Sequence, residues 1–496
     1  MLAQLAPLKN PAIDYHALAP EIVLAGTLFA VLLLDLFLER GRKHLAMPLA
    51  FVGTAGALAA TLTLIGANRS TFGGSYAVDN FAVLFKVFFL ATALVVLLVS
   101  YRYIREGRYY QGEYYFLLLC SFLGMLTMSS SRDLLMLFIS LELVSAPAFI
   151  LSGFRKTDPR SNEAALKFFL ISVLSTAVML YGMSLIYGIT GTTRLAGIAQ
   201  ALAGPAGGSR LAVAAILFVV AGFAFKVSAF PFQFWAPDTY EGSPVPIAAY
   251  LSVASKAAGF AGLLQLMFVA FLPRADFWAP IFAALALSTM TLGNLVALQQ
   301  RQVVRLLAYS SIAQAGYMLL PFALATPHGT AVNTEAFAAA VLYILIYGVM
   351  NLGAFGVVIG MVREAPGMLI SDFAGFGQRA AALAMSMTLF MVSLAGVPPL
   401  AGFWGKFFIF TAAIHRGGYG PWLAVVMVVN SVISVGYYFL VVRAMWLEPA
   451  AEPVRPVRVP TLVAGVVVLA GATVLAIGIM PDLFAHFPRL STLVGR

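Results

Sequence analysis

The sequence predicts an all-α polytopic membrane protein of about fourteen transmembrane helices. Three observations carry this. Charged residues make up only 10% of the 496, hydrophobic residues make up 61%, and mean hydropathy is +0.93. A soluble domain carries roughly 25% charged residues, so this composition cannot clothe a water-facing surface. The apolar runs also extend along the whole length, which excludes a soluble domain on a single anchor. A helical span needs roughly 20 residues, so the chain has room for fourteen with short loops.

The runs, bounded by charges or helix breakers, fall at about 19–38, 45–66, 80–101, 112–130, 134–154, 163–187 and 211–230. They continue at about 243–271, 277–298, 303–324, 333–361, 380–414, 421–446 and 459–480. The first ends in Glu39, Arg40, Arg42 and Lys43 with no small-residue cleavage site, so it reads as a retained helix rather than a cleaved signal. In the seventh, Pro231 removes a helical hydrogen bond five residues after Lys226. Pro237, Asp238, Glu241, Gly242 and Pro244 follow, a pattern that predicts a discontinuous helix with a polar re-entry. The twelfth run is about 35 residues long, too long for one straight span, and Pro398 and Pro399 interrupt it. Helices 7 and 12 are therefore expected to be broken.

The two breaks resemble each other. VSAFPFQFW and VSLAGVPPLAGFW both open on Val-Ser and end on an aromatic. This pairing predicts two five-helix repeats, 112–271 and 277–446. An odd number of helices per unit makes consecutive repeats inverted. A three-helix segment, 1–111, precedes them, and a linker with the last helix, 447–496, follows.

No cofactor or metal is expected in this chain. Cys120 is the only cysteine, and the histidines at 16, 44, 328, 415 and 486 have no metal-ligand spacing. No Walker, GxGxxG or CxxCH motif occurs. The net charge of +10 reads as basic residues kept in cytoplasmic loops, not as a nucleic-acid partner. With the N-terminus outside, the inner loops hold 16 lysines and arginines against 9 on the outer side. That asymmetry predicts both termini on the outer, periplasmic face. Tyr101, Tyr103, Tyr109, Tyr110, Tyr114 and Tyr115 flank a basic loop and read as an interfacial belt.

The informative residues are the charges inside the runs, because such residues face a protein interior, a partner or a water path. Glu142 is the ninth of the 21 residues between Asp133 and Arg155, close to midplane, and too short to reach the interface. Lys226 precedes the first break and Lys406 follows the second. Lys256 lies among Ser252, Ser255, Ala257, Ala258 and Gly259, small neighbours that allow close packing and water. An ammonium taken out of water loses solvation, which makes a buried lysine a candidate for proton exchange. Glu142 and Lys226, opposite in charge, are expected to pair. Lys167 and Lys86 lie only four to six residues inside their helices, from where a lysine stem can snorkel to the interface. That reading is preferred for Lys86. Lys167 comes one element after Glu142 and is a candidate for the same path. Ser310, Ser311 and Gln314, with Thr291 and Asn294, are candidates to line it between Lys256 and Lys406.

FKVSAFPFQFWAPDTYEGSPVPIAAYLSVASKAAGF, LLMLFISLELVS, RLLAYSSIAQAGYML and PPLAGFWGKFFIF together resemble the antiporter-like subunits of respiratory complex I, the proton-pumping NADH:quinone oxidoreductase. Within them the resemblance is strongest to the subunit N branch, and it covers nearly the whole chain. It implies fourteen helices, with helices 4–8 and 9–13 as inverted repeats and 7 and 12 broken. It implies a proton-translocating axis carried by Glu142, Lys226, Lys256 and Lys406, with Lys167 near the Glu–Lys pair. A lysine at position 406 favours subunit N over subunit M, where glutamate is usual. The approximately 16 residues after the last run cannot supply the long lateral helix of subunit L. The resemblance further implies that NADH, flavin, iron–sulfur clusters and quinone belong to other subunits. It makes other membrane-arm subunits, among them another antiporter-like one, and the lipid bilayer the partners, in a bacterial inner membrane. A subunit of a multi-subunit cation/proton antiporter, which shares this fold and axis, is the alternative.

Overall fold

The computed structural model describes residues 13–107, 109–365, 367–450, 457 and 459–494. It is a helical bundle. In chain order the helices are α1 (Ala19–Phe37), α2 (Ala46–Leu62), α3 (Asn80–Glu106), α4 (Gln111–Ser130), α5 (Leu134–Ser152), α6 (Pro159–Thr190), α7 (Leu195–Ala203), α8 (Arg210–Lys226), α9 (Trp235–Gly242) and α10 (Val245–Tyr250). Then come α11 (Lys256–Gln265), α12 (Ala275–Ala297), α13 (Val303–Ala323), α14 (Thr330–Met361), α15 (Phe376–Arg379), α16 (Ala381–Ala395), α17 (Ala401–Arg416), α18 (Gly420–Leu447), α19 (Thr461–Ile479) and α20 (Pro481–Leu490). A π-helical turn, Leu251–Ser255, joins α10 to α11, and a second, Leu266–Ala270, extends them into one helix. A short antiparallel hairpin, β1 (Arg69–Thr71) with β2 (Tyr76–Val78), caps the bundle between α2 and α3.

Twelve helices among the described residues are long and apolar enough to cross a membrane by themselves. The two other expected runs, 211–230 and 380–414, fall on interrupted helices. Helix α8 stops at Lys226 and helix resumes at Trp235, while α16 stops at Ala395 and α17 starts at Ala401. The pieces are 15 to 17 residues long on either side of the second break and before the first, too short to span alone. The basic residues used for the charge asymmetry include Lys9, Arg108, Arg455, Arg458 and Arg496, which lie outside the described residues.

Burial follows position in the bundle. The π-turned helix 245–270, α13 and α14 are nearly all buried, whereas α1, α2, α6 and α18 keep wide apolar faces exposed. The buried helices therefore form a central layer, which is where a charge can be shielded from hydrocarbon. Of the tyrosines expected as an interfacial belt, Tyr114 and Tyr115 are instead fully buried, and the Tyr114 hydroxyl bonds Ser100 at 2.9 Å. Their helix, α4, is packed between α1, α3 and α5, so these rings face protein.

Candidate functional site

Lys226 is the last residue of α8 and is 4% exposed. The break after it is built into the chain. Ser228 takes a φ of 60°, a region unusual for a residue with a Cβ, and Pro231 follows. Backbone groups released by the break find partners: Trp235 Nε1 donates to the Phe225 carbonyl at 3.1 Å, and the Phe230 N–H donates to Thr289 Oγ1 at 3.0 Å. Gly259 of α11 lets the lysine stem pass, because a Cβ there would stand 2.9 Å from Lys226 Cγ.

The Lys226 ammonium donates to Ser145 Oγ of α5 at 2.9 Å. Glu142, one turn earlier on α5, is only half-buried and accepts from Thr176 Oγ1 of α6 at 3.0 Å. The expected direct pair is thus not formed, and among the described residues no ion pair joins the two. Glu142 turns to α6, and Ser145 takes the lysine.

Lys256 follows the first π-turn directly and is 2% exposed. Its ammonium donates to the Ser311 carbonyl at 2.8 Å and to Ser311 Oγ at 2.5 Å, both on α13. A π-turn inserts one residue into the α-helical ladder and so re-aims the side chains that follow it. On the turn itself, Ser252 Oγ accepts from Asn351 Nδ2 of α14 at 2.8 Å, and Asn351 also donates to the Tyr347 hydroxyl at 2.9 Å.

Beyond Ser311 a buried polar network crosses α12, α13, α14, α16 and α18. Ser310 Oγ bonds the Tyr438 hydroxyl at 2.6 Å. Gln314 Nε2 donates to Tyr438 at 3.0 Å and to the Leu394 carbonyl at 3.1 Å, and its Oε1 accepts from Tyr343. Alongside, Asn294 donates to the Tyr317 hydroxyl at 3.4 Å and to Asn430 Oδ1 at 3.1 Å, and accepts from Tyr437 at 3.1 Å. Asn430 donates to Thr291 at 3.2 Å.

Lys406, 5% exposed on α17, meets the same Leu394 carbonyl at 3.2 Å, and also the Ala395 carbonyl at 2.9 Å and Ser431 Oγ at 2.8 Å. The two carbonyls are the last of α16 and are freed by the break. They carry the negative end of that helix's dipole, which favours an ammonium. The Tyr317 ring lies 4.7 Å from Nζ and adds a cation–π contact. Gly396, at φ 91°, turns the chain beside the lysine. Lys406 also lines a cavity of about 370 Å³ between α17 and α18, whose rim includes the exposed side chains Phe407, Val428 and Val432.

Lys226, Lys256 and Lys406 share one property: each hydrogen bond from the ammonium goes to a neutral oxygen. An ammonium so held can give up its proton without stranding a touching anion. The residues that sequence reasoning missed are the network's Tyr317, Tyr343, Tyr437, Tyr438, Asn430 and Ser431. A hydroxyl or amide in an apolar run carries no signal of its own, and the partners lie up to 143 positions away.

Two lysines stand elsewhere than expected. Lys167 lies nine residues before Thr176 on α6, about 13 Å along the axis from Glu142's partner. It is exposed and pairs with Glu163 at 2.7 Å and Asp238 at 2.9 Å. Asp238 and Glu241 of α9 also hold Arg305 of α13, each at 2.8 Å. Lys167 thus belongs to a carboxylate-rich cluster, away from the Glu142–Thr176 contact. Lys86 does not snorkel. It is 0% exposed, pairs with Glu21 of α1 at 2.8 Å and donates to the Tyr76 hydroxyl at 2.7 Å. Position along α3 gave its depth, but its face of the helix turns inward. Among the described residues no group of three or more His, Cys, Asp or Glu side chains could hold a metal ion.

Residues 131–434 match the family profile described as NADH:quinone oxidoreductase/Mrp antiporter, transmembrane. The chain is 40% identical over 479 residues to NADH-quinone oxidoreductase subunit N of Trichlorobacter lovleyi, covering 96% of each. It is 40% identical over 480 residues to the subunit N of Moorella thermoacetica, covering 97% of this chain and 98% of that one. Among solved structures it is similar to a chain of respiratory complex I from Thermus thermophilus, with 33% identity and a TM-score of 0.78 over 94% of this chain and 98% of that one. A chain of the Mrp complex from a Dietzia species shares the fold, at 19% identity and a TM-score of 0.83, over 97% of each.

Proposed function

Since the chain belongs to the NADH:quinone oxidoreductase/Mrp antiporter membrane family, and within it to the NADH-quinone oxidoreductase subunit N relatives, we propose that Glu142, Lys226, Lys256 and Lys406 carry protons along a buried axis through it. The chain is a multi-span, non-redox membrane subunit of a proton-pumping oxidoreductase, and the cofactors belong to other subunits. The relatives at 40% identity over nearly the full length favour this over a cation/proton antiporter, whose likeness is one of fold.

The observation that carries the axis is the Leu394 carbonyl, which accepts from both Gln314 and Lys406. Lys256 touches Ser311; the next residue, Ser310, reaches Tyr438, and Tyr438 reaches Gln314. Apart from the step between the adjacent residues Ser311 and Ser310, hydrogen bonds therefore lead from the middle lysine to the one beyond the second break. On the other side, Lys226 leads to Ser145 and Glu142. In this reading Lys406 makes the terminal proton exchange. Residues 112–271 and 277–446 form inverted five-helix repeats, each with one break, flanked by the segments 1–111 and 447–496. The protein lies in a bacterial inner membrane with both termini periplasmic. Lys167 acts in the Asp238 cluster, where it fastens α6 to α9. The deciding experiment measures proton pumping and quinone reduction in membranes carrying assembled complex with Glu142→Gln. Pumping and coupled quinone reduction are expected to fall together, with assembly kept. Wild-type pumping in that variant would remove Glu142 from the path.

A further inference from the structure

We propose that Glu21, Lys86 and Tyr76 form a further proton-exchange site in the N-terminal three-helix segment, separate from the Glu142–Lys406 axis. The inference rests on the proton-pumping reading above. Among the described residues, Lys86 alone of the fully or almost fully buried lysines touches a carboxylate: Glu21 Oε1 lies 2.8 Å from its Nζ, and both side chains are at least nine-tenths buried. A buried pair that only tied α1 to α3 would be a poor choice, because well-packed apolar residues hold helices as well or better. Ionisable groups in a membrane interior instead mark paths for ions and protons.

Polar groups flank the pair on two sides. Lys86 lies six residues into α3, about 9 Å from the hairpin end. There the Tyr76 hydroxyl accepts from Nζ at 2.7 Å and donates to the Ala17 carbonyl at 3.4 Å. The Ala17 N–H in turn donates to the carboxylate of Asp14, which stands on the surface beside Arg69. Inward, Ser130 of α4 is fully buried. The Tyr76 backbone bridges Ser131, whose Oγ lies 3.5 Å from Ser140 Oγ, and Ser140 donates to Thr127 at 2.8 Å. This seam joins α4 to α5, the helix that carries Glu142. At the same end, Asp79, the N-cap of α3, pairs with Arg132 at 2.7 Å.

The step balances. The Nζ–H proton passes to Glu21 Oε1, leaving an amine and a carboxylic acid, and the pair is neutral before and after. The acid's proton leaves by the Tyr76 hydroxyl toward the hairpin end, and the amine takes up one proton arriving along the seam. One proton enters and one leaves.

The test uses the whole complex in membrane vesicles, with assembly, NADH oxidation and proton pumping read together. Lys86→Met combined with Glu21→Gln removes both charges at nearly constant volume, and Lys86→Arg keeps the pair but cannot release a proton at accessible pH. Protons pumped per NADH are expected to fall by about half or more in either variant that assembles. Wild-type pumping in either one, with Lys256→Arg impaired in the same assay, overturns the site alone. Wild-type pumping in Lys256→Arg as well overturns the reading on which it rests. Should neither Lys86 variant assemble, Tyr76→Phe, which removes only the exit hydroxyl, is expected to slow pumping. Unchanged pumping there also overturns the site.

Discussion

Lys406 is held by two backbone carbonyls that no side-chain substitution can remove. Arginine at this position would keep a cation against the same helix end, yet it cannot give up a proton at accessible pH. Under the proposed path, Lys406→Arg and Lys406→Ala both lose most proton pumping, the first with its charge intact. Pumping at the wild-type proton-to-electron ratio in the assembled Lys406→Arg complex would make the lysine a fixed electrostatic element. Ser145 offers the complementary probe at Lys226, since it is the hydroxyl that holds that ammonium. Ser145→Ala leaves the ammonium against a methyl group. A hydrogen bond to a charged group contributes about 1.5–3 kcal/mol, so the pumping rate is expected to fall on the order of tenfold. Initial rates of vesicle acidification, normalised to assembled complex, check this.

At the level of the helices, the interruptions do the aiming. The end of α16 supplies carbonyls to Lys406, and the turn at Gly396 lets α17 start beside it. Gly396→Ala puts a Cβ at φ 91° and 2.9 Å from Lys406 Cδ. Such backbone strain costs roughly 1–3 kcal/mol. The variant should lower both the thermal stability of the purified complex and its pumping, and pumping should fall even where assembly is kept. The Asp238 cluster works differently, because its members are about one-third exposed. Asp238→Asn breaks contacts to Lys167 and Arg305, but exposed ion pairs are worth only about 0.2–1 kcal/mol each. A small loss of thermal stability with nearly normal pumping is expected. Strong loss of pumping would place Asp238 on the path.

The same physics explains what the sequence could and could not disclose. A span is legible because every residue in it must be apolar, and a lysine inside one stands out at once. The breaks are legible because proline cannot donate a backbone hydrogen bond. Which way a buried charge points is not legible, since depth along a helix leaves its face open. That is why Lys86 was expected to reach the interface, why Lys167 was expected nearer Glu142, and why Glu142 was expected to touch Lys226 directly. Glu21 drew no notice because it sits at the start of an apolar run, only three residues into α1.

For the whole molecule, the proposed orientation rests on the charge asymmetry. Under the proposal that both termini are periplasmic, the β1–β2 hairpin and the start of α3 belong to the outer face, together with the α4–α5 turn. A cysteine introduced at Ser70 in the hairpin, which is exposed, should react with a membrane-impermeant thiol reagent in intact cells. A cysteine at Glu113 should react only in inverted vesicles. The reverse pattern would turn the protein over and exchange the two ends of the proposed path.

If the network between Lys256 and Lys406 carries protons as proposed, its groups also limit the traffic. A hydroxyl passes a proton by accepting one and releasing another, and it is left pointing the wrong way. Ser311, Ser310 and Tyr438 must each rotate back before they can serve again. Gln314 has no such freedom: its amide is engaged by Tyr343, Tyr438 and the Leu394 carbonyl together. An amide carries no readily exchanged proton, so it is a point of arrest in an otherwise mobile file. Passage there waits on a rearrangement of the tyrosines or on water slipping past them. In the proposed path, each passage therefore includes a reset in which these dipoles turn back.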